Sequence, residues 1–217
     1  MMPILGKTVM EAVQFYTNPM SRGRMVHWML EECGAPYEPH LLDFAKKEHK
    51  SAAYLEINPM GKLPAIVHRG VVVTETAAIC TYLADVFPQH NLAPGVQDPA
   101  RGTYYRWLFF AAGCVEPAVI DKMLGRPPAE RIGAMGYGSY ENTMSTLEKA
   151  LEHGPYLLGE TFSAADVYVA SQIGFGVRMK ALEPSEVLRT YAERCTQRPA
   201  FLRAQEIAAT WTEKLKT

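Results

Sequence analysis

Strand-forming runs occur only in the first third of this chain, where they alternate with helical ones. Ala12 to Tyr16, Tyr37 to Leu42, Pro64 to His68 and Val71 to Thr74 are short, β-rich and bounded by Asn, Pro or Gly. Between the first two, Met25, Trp28, Met29 and Cys33 recur at intervals of three and four, so Arg22 to Cys33 reads as a helix that Gly34 closes. Ala52 to Ile57 makes one or two helical turns before Asn58-Pro59, and Glu75 to Phe87 makes a longer helix before Pro88. Arg69-Gly70 is a two-residue hairpin loop. The order β-α-β-α-β-β-α predicts one four-stranded mixed sheet, with a parallel pair from the first crossover and an antiparallel final hairpin.

Everything after the Pro- and Gly-bearing linker at 89–97 is helical in pattern. Asp98-Pro99 looks like a helix start. Helices are expected over Arg101–Leu124, Ala129–Glu152, Ser163 to about Phe175, Glu186–Arg194 and Pro199–Lys214. The chain is therefore expected to divide into an α/β domain over 1–90 and an all-α domain over 98–217.

Charge and cysteine usage exclude several function classes. The 22 Lys and Arg stand against 23 Asp and Glu, and neither half is basic, so no broad nucleic-acid or membrane surface is expected. Cys33, Cys80, Cys114 and Cys195 form no Cys-x-x-Cys and read as free core thiols in a reducing compartment, Cys33 and Cys114 being expected buried and inert. No metal motif occurs among the six scattered histidines. Met1 to Val13 lacks the pattern of a secretory leader, and Trp107 to Ile120 is too short to span a bilayer, which takes about 20 apolar residues. A cytoplasmic, soluble protein is expected. Gly133, Gly136 and Gly138 have the wrong spacing for a dinucleotide loop and follow no strand, so they read as a helix entry or a loose helical turn.

Four features of the α/β segment point to an anionic or zwitterionic ligand. Ser21 precedes the first helix, where free amides and the helix dipole favour an anion; the same residue could be only a cap. Leu63-Pro64 opens a strand where proline belongs, and an X-Pro bond can be cis, although trans is the commoner form. Glu75-Thr76, at a helix start, suits an amino-acid head, with Glu75 for the ammonium and Thr76 for the carboxylate; it too could be only a cap. His49 and Lys50, with Lys46, Lys47 and Lys62, could meet a second carboxylate or form an ordinary solvated loop.

Together, Tyr16–Arg24, Glu48–Lys50, Asn58–Ile66, Glu75–Ile79 and Tyr156–Asp166 resemble the cytosolic glutathione transferase superfamily. The resemblance implies a thioredoxin-like domain joined to a helical one, a homodimer, glutathione as co-substrate and a role in detoxification. It implies a cis bond at Leu63-Pro64, Leu63 backbone pairing with the cysteinyl part of glutathione, Glu75 and Thr76 on the γ-glutamyl end, and His49, Lys50 and Lys62 near the glycine carboxylate. Ser21 matches the hydroxyl donor of the serine-type classes, with Tyr16 as the alternative; cysteine-type chemistry is not matched, since Ser stands where those classes carry Cys. Ser163 to Asp166 matches a buried capping box, which the Ser-x-x-Asp spacing also predicts directly. A small hydrophobic electrophile is expected near Met20, Arg22, Tyr105 and Phe109. Conjugation, glutathione-dependent peroxide reduction, isomerisation and a non-catalytic binding role all remain open at this stage.

Overall fold

The computed structural model describes residues 11–216. Met1–Met10, with most of the segment read above for a leader, and Thr217 lie outside the described residues. Strand β1 (Val13–Thr17) pairs in parallel with β2 (Tyr37–Leu41) and antiparallel with β3 (Ala65–His68), which pairs antiparallel with β4 (Val71–Thr74). The sheet order is β2-β1-β3-β4, the mixed sheet expected. Pro39 falls in β2, an edge strand, where its missing N–H costs no ladder bond. Arg69 and Gly70 turn the β3–β4 hairpin with φ of 52° and 73°.

Period-two alternation sorts β1. Val13, Phe15 and Thr17 are buried, while Gln14 and Tyr16 face the other way. The first set meets α1 (Gly23–Glu32), with α3 (Thr76–Val86) packed beside it; Tyr16 meets the short α2 (Ala52–Leu55) through Tyr54.

The second half is helical: α4 (Ala100–Phe110), α5 (Glu116–Met123), α6 (Tyr140–Ala150), α7 (Ala164–Arg178), α8 (Glu186–Thr196) and α9 (Pro199–Lys214). Two expectations need correction. The single helix over Arg101–Leu124 is interrupted at Ala111–Val115 by a wider π-type turn. Pro117 offers no amide to the preceding turn, and the wider turn absorbs that loss. The helix expected from Ala129 begins only at Tyr140, after a loop with a short 3₁₀ turn at Ile132–Ala134. Gly138 takes a left-handed φ of 67°, and Ser139 then caps α6 by accepting the Asn142 amide at 3.1 Å.

Helix α1 is the seam between the halves. Trp28 packs edge-on against Phe201 of α9, and the Trp28 indole donates to Glu32, whose carboxylate takes a bidentate Arg198 at 2.7 and 2.8 Å. Arg22–Glu116, Asp85–Arg101 and Glu31–Arg203 also join the first ninety residues to the rest. One apolar core runs through both halves without a break. Among the described residues, no helix is long and apolar enough to cross a membrane.

The α1–α9 contact carries a pH signature. His27 is buried, stacks on Trp211 at 4.3 Å, and lies 2.8 Å from the Tyr37 hydroxyl, which donates to Glu31. The Tyr37 proton is committed to Glu31, so Nε2 of His27 donates to the Tyr37 oxygen. Burial, with Arg24 adding to it against the pull of Glu31, lowers the His27 pKa to about 4. In the unfolded chain the value returns to roughly 6.5. Between those values only the unfolded chain takes the proton, so stability falls as pH drops from about 6.5 to about 4, by up to about 3 kcal/mol. Urea midpoints at pH 7 and pH 5 should therefore differ less in His27→Phe than in wild type. Equal differences would show that His27 is not the group responsible.

Candidate functional site

Three loops converge because of sheet register. Ala65 lies opposite both Tyr16 and Thr74, so the end of β1, the start of β3 and the end of β4 meet at one edge. The segments continuing from that edge are Asn18–Arg22, Lys62–Pro64 and Glu75–Thr76, which hold the residues singled out from sequence.

In the first segment Asn18 closes a turn. Its carbonyl accepts both the Ser21 amide at 2.9 Å and the Ser21 hydroxyl at 2.7 Å, and its side chain reaches the Leu42 carbonyl at 2.8 Å. Ser21 Oγ in turn accepts the Gly23 amide at 2.9 Å. The hydroxyl thus has a cap-like bond on its acceptor side and a movable proton on its donor side. Gly23 has to lack a side chain, since a Cβ there would collide with the Thr17 hydroxyl.

The second segment is fixed from beneath. The Lys62 carbonyl accepts the Tyr54 hydroxyl at 2.6 Å and the Asn58 side-chain amide at 2.9 Å, and the Leu63-Pro64 bond is cis. Tyr54 and Asn58 are positioning residues that sequence reading did not assign, although Asn58 sits inside the motif quoted above. His49 and Lys50 lie against this segment. Lys50 Nζ donates to the Met60 carbonyl at 3.0 Å, and a Cβ on Gly61 would come within 2.8 Å of the His49 carbonyl. His49 packs edge-on to Phe44, and its Nδ1 is buried without a partner among the described residues. Lys62 is exposed, and Lys46 turns aside to pair with Asp43 at 3.5 Å.

In the third segment, Glu75 is exposed and makes no capping bond to α3, so the cap alternative does not apply to it. It also holds φ at 65°, a left-handed region that costs a non-glycine residue about 1–3 kcal/mol. Thr76 is the first residue of α3, where amides lack helical partners.

Beside Ser21 opens a cavity of about 540 Å³ between the start of α1, the C-terminal half of α7 and α9. Met20 and Arg22 line it, but Tyr105 and Phe109 do not. Tyr105 packs under Arg101 at 4.8 Å, and Phe109 is 70 % exposed on α4. The aromatic residues that line it are Phe175 of α7 and Phe201 of α9. Arg22 is held there by Glu116 at 2.9 Å and lies over the Phe175 ring at 4.4 Å. Glu116 also accepts from Tyr168 and Gln172. Tyr16 does not line the cavity; it stacks on His40 at 4.5 Å on the α2 face of the sheet.

Of the cysteines, Cys33, Cys80 and Cys195 are buried, and burial pushes the Cys33 thiol up to about 12. Cys114 is half-buried rather than buried; its thiol points to the Gly136 carbonyl at 3.7 Å, and burial raises it as well.

Residues 11–85 match the family model described as glutathione S-transferase, N-terminal domain, and residues 118–198 match glutathione S-transferase, C-terminal domain. A probable glutathione S-transferase, GSTF2, of Oryza sativa subsp. japonica is 30% identical over 159 residues, covering 68% of this chain and 73% of that protein. Among solved structures, the glutathione transferase URE2P6 of Phanerochaete chrysosporium, in complex with oxidized glutathione, superposes with a TM-score of 0.77 at 25% identity, covering 93% of this chain and 98% of the other. A glutathione transferase homolog from Sulfitobacter with bound glutathione gives 0.73 at 27% identity, covering 91% and 98%.

Proposed function

Because the chain belongs to the glutathione S-transferase family, we propose that it binds glutathione at the edge formed by Ser21, Leu63 and Glu75 and joins it, through its sulfur, to a small hydrophobic electrophile held in the cavity beside Ser21. The observation that carries this reading is Glu75. A carboxylate held exposed at strained φ, with no bond to the helix it precedes, contributes nothing to the fold that offsets the strain. It suits the ammonium of a γ-glutamyl group, and the free α3 amides at Thr76 suit the neighbouring carboxylate.

The rest of the tripeptide follows the same edge. Leu63, whose backbone is set by the pinned Lys62 carbonyl, offers strand-like pairing to the cysteinyl unit. His49, Lys50 and Lys62 face the glycine carboxylate; Lys50 spends one of its three N–H donors on the Met60 carbonyl and has two left. Ser21 then lies nearest the sulfur. Its hydroxyl can turn from Asn18 to a thiolate without orphaning anything, because the Asn18 carbonyl keeps the Ser21 amide. The Gly23 amide on Oγ polarises the hydroxyl and strengthens it as a donor. Residues 1–90 would thus serve glutathione and 98–217 the electrophile. A cytoplasmic homodimer accompanies this reading. Peroxide reduction and isomerisation use the same thiolate and differ in the second substrate.

The test is a glutathione titration across pH, with affinity read by calorimetry and ionisation by thiolate absorbance. Wild type should hold a thiolate below neutral pH, and Glu75→Ala should weaken binding about 10- to 100-fold, the size of a lost hydrogen bond to a charged group. Equal affinity in both proteins would refute the site.

A further inference from the structure

We infer that the second substrate carries an anionic group, a carboxylate above all, on an apolar body. This rests on the glutathione-transfer reading and concerns the cavity beside Ser21. Its walls are apolar at Met20, Met25, Phe175 and Phe201, and its volume of about 540 Å³ suits a compact organic molecule. Among the described residues, the charged ones lining it are all arginines: Arg22, Arg24 and Arg178.

The three are not equivalent. Arg22 is neutralised by Glu116 at 2.9 Å. Arg24 donates to the uncharged Gln205 side-chain oxygen. Arg178, in the last turn of α7, forms no ion pair among the described residues. Arg24 and Arg178 both line the cavity, and among the described residues neither is paired with a carboxylate; burial and the charge of Arg178 accordingly pull the Arg24 pKa below its ordinary value. Two like charges against apolar walls focus a positive potential into the cavity. An anion seated between them replaces that repulsion with charge-assisted hydrogen bonds, and a carboxylate matches the guanidinium fork. The apolar walls take the body of the same molecule. A neutral electrophile would gain only the second of these.

With 4-chloro-3,5-dinitrobenzoate as probe, the glutathione thiolate forms a carbon–sulfur bond at the ring carbon bearing chlorine. Chloride leaves with the bonding pair, and the thiol proton goes to solvent. The matched neutral probe is the corresponding carboxamide. Each kcat/KM is divided by the uncatalysed rate with glutathione at the same pH.

Wild type should favour the carboxylate by about tenfold or more, as expected for one hydrogen bond between charged groups. Arg178→Met should bring that ratio close to one, and Arg178→Lys should restore part of it. A ratio near one in wild type, or an unchanged ratio in Arg178→Met, overturns the inference. Calorimetry without glutathione separates it from the transfer reading. If neither probe is consumed, transfer fails, yet the anion site stands if unreactive 3,5-dinitrobenzoate binds at least about tenfold tighter than 3,5-dinitrobenzamide and Arg178→Met erases the difference. Equal binding of the two overturns the anion site.

Discussion

Ser21→Ala should lower kcat near neutral pH by about 10- to 100-fold and leave the KM for glutathione nearly unchanged. A hydrogen bond to a charged acceptor is worth ~1.5–3 kcal/mol, or about one to two pKa units on the bound thiol. A free thiol ionises near 8.5, so without the hydroxyl the bound thiol should move back towards that value. The rate loss should therefore shrink as pH rises, and the variant should approach wild type once glutathione is ionised in solution. A purely structural defect would lower the rate at every pH. The Gly23 amide loses its side-chain acceptor in this variant, which costs the fold about 1 kcal/mol as a lost cap. Tyr16→Phe is the control. Its ring stacks on His40, on the sheet face away from Thr17, and its rate should stay within about twofold of wild type. Pronounced loss in Tyr16→Phe with full activity in Ser21→Ala would move the role to Tyr16.

Two patterns visible in the chain, strand alternating with helix before residue 90 and helix alone after it, are local properties, and the mixed four-stranded sheet and most of the helices follow from them, whereas the strand order β2-β1-β3-β4 does not. The misses have local causes too. Pro117 lies inside a helical pattern, and sequence does not say whether the chain breaks there or widens by a turn; tertiary packing on both sides keeps it helical. Gly133, Gly136 and Gly138 were counted into a helix that they in fact delay until Tyr140. The residues proposed for glutathione stand out in the sequence because they cluster in short segments around turns and strand ends. Glu75 shows the limit. Its type and position suited a cap equally well, and only its φ and its missing bond to α3 separate the two readings. The cavity was not legible. Aromatics on α4 were expected there, but Phe175 and Phe201 share the cavity with Ser21 through the packing of α7 and α9 on α1, which no local pattern encodes.

Asp166→Ala should destabilise the protein by about 3–5 kcal/mol while leaving the chemistry of any folded fraction intact. Asp166 is fully buried at the start of α7 and accepts four hydrogen bonds: the Leu157 amide at 2.9 Å, the Ser163 amide at 2.9 Å, the Ser163 hydroxyl at 3.0 Å and the Tyr191 hydroxyl at 3.0 Å. It thus completes the capping box with Ser163 and ties the segment before α7 to α8. Burial pushes its carboxyl up, and the four donors pull it back. Removal strands two backbone amides and a buried phenol at a cost of about 1–3 kcal/mol each, and small local shifts recover part of that. Asn in its place keeps one accepting oxygen, so Asp166→Asn should fall between alanine and wild type. Urea denaturation read by far-ultraviolet dichroism measures the loss, and specific activity per folded molecule should match wild type. A loss below about 1 kcal/mol would show that the box is dispensable. A folded Asp166→Ala protein that binds glutathione yet turns nothing over would give Asp166 a part in the reaction instead. The geometry opposes that outcome, because every donor around Asp166 belongs to the helical half and Asp166 is not among the residues that line the cavity beside Ser21.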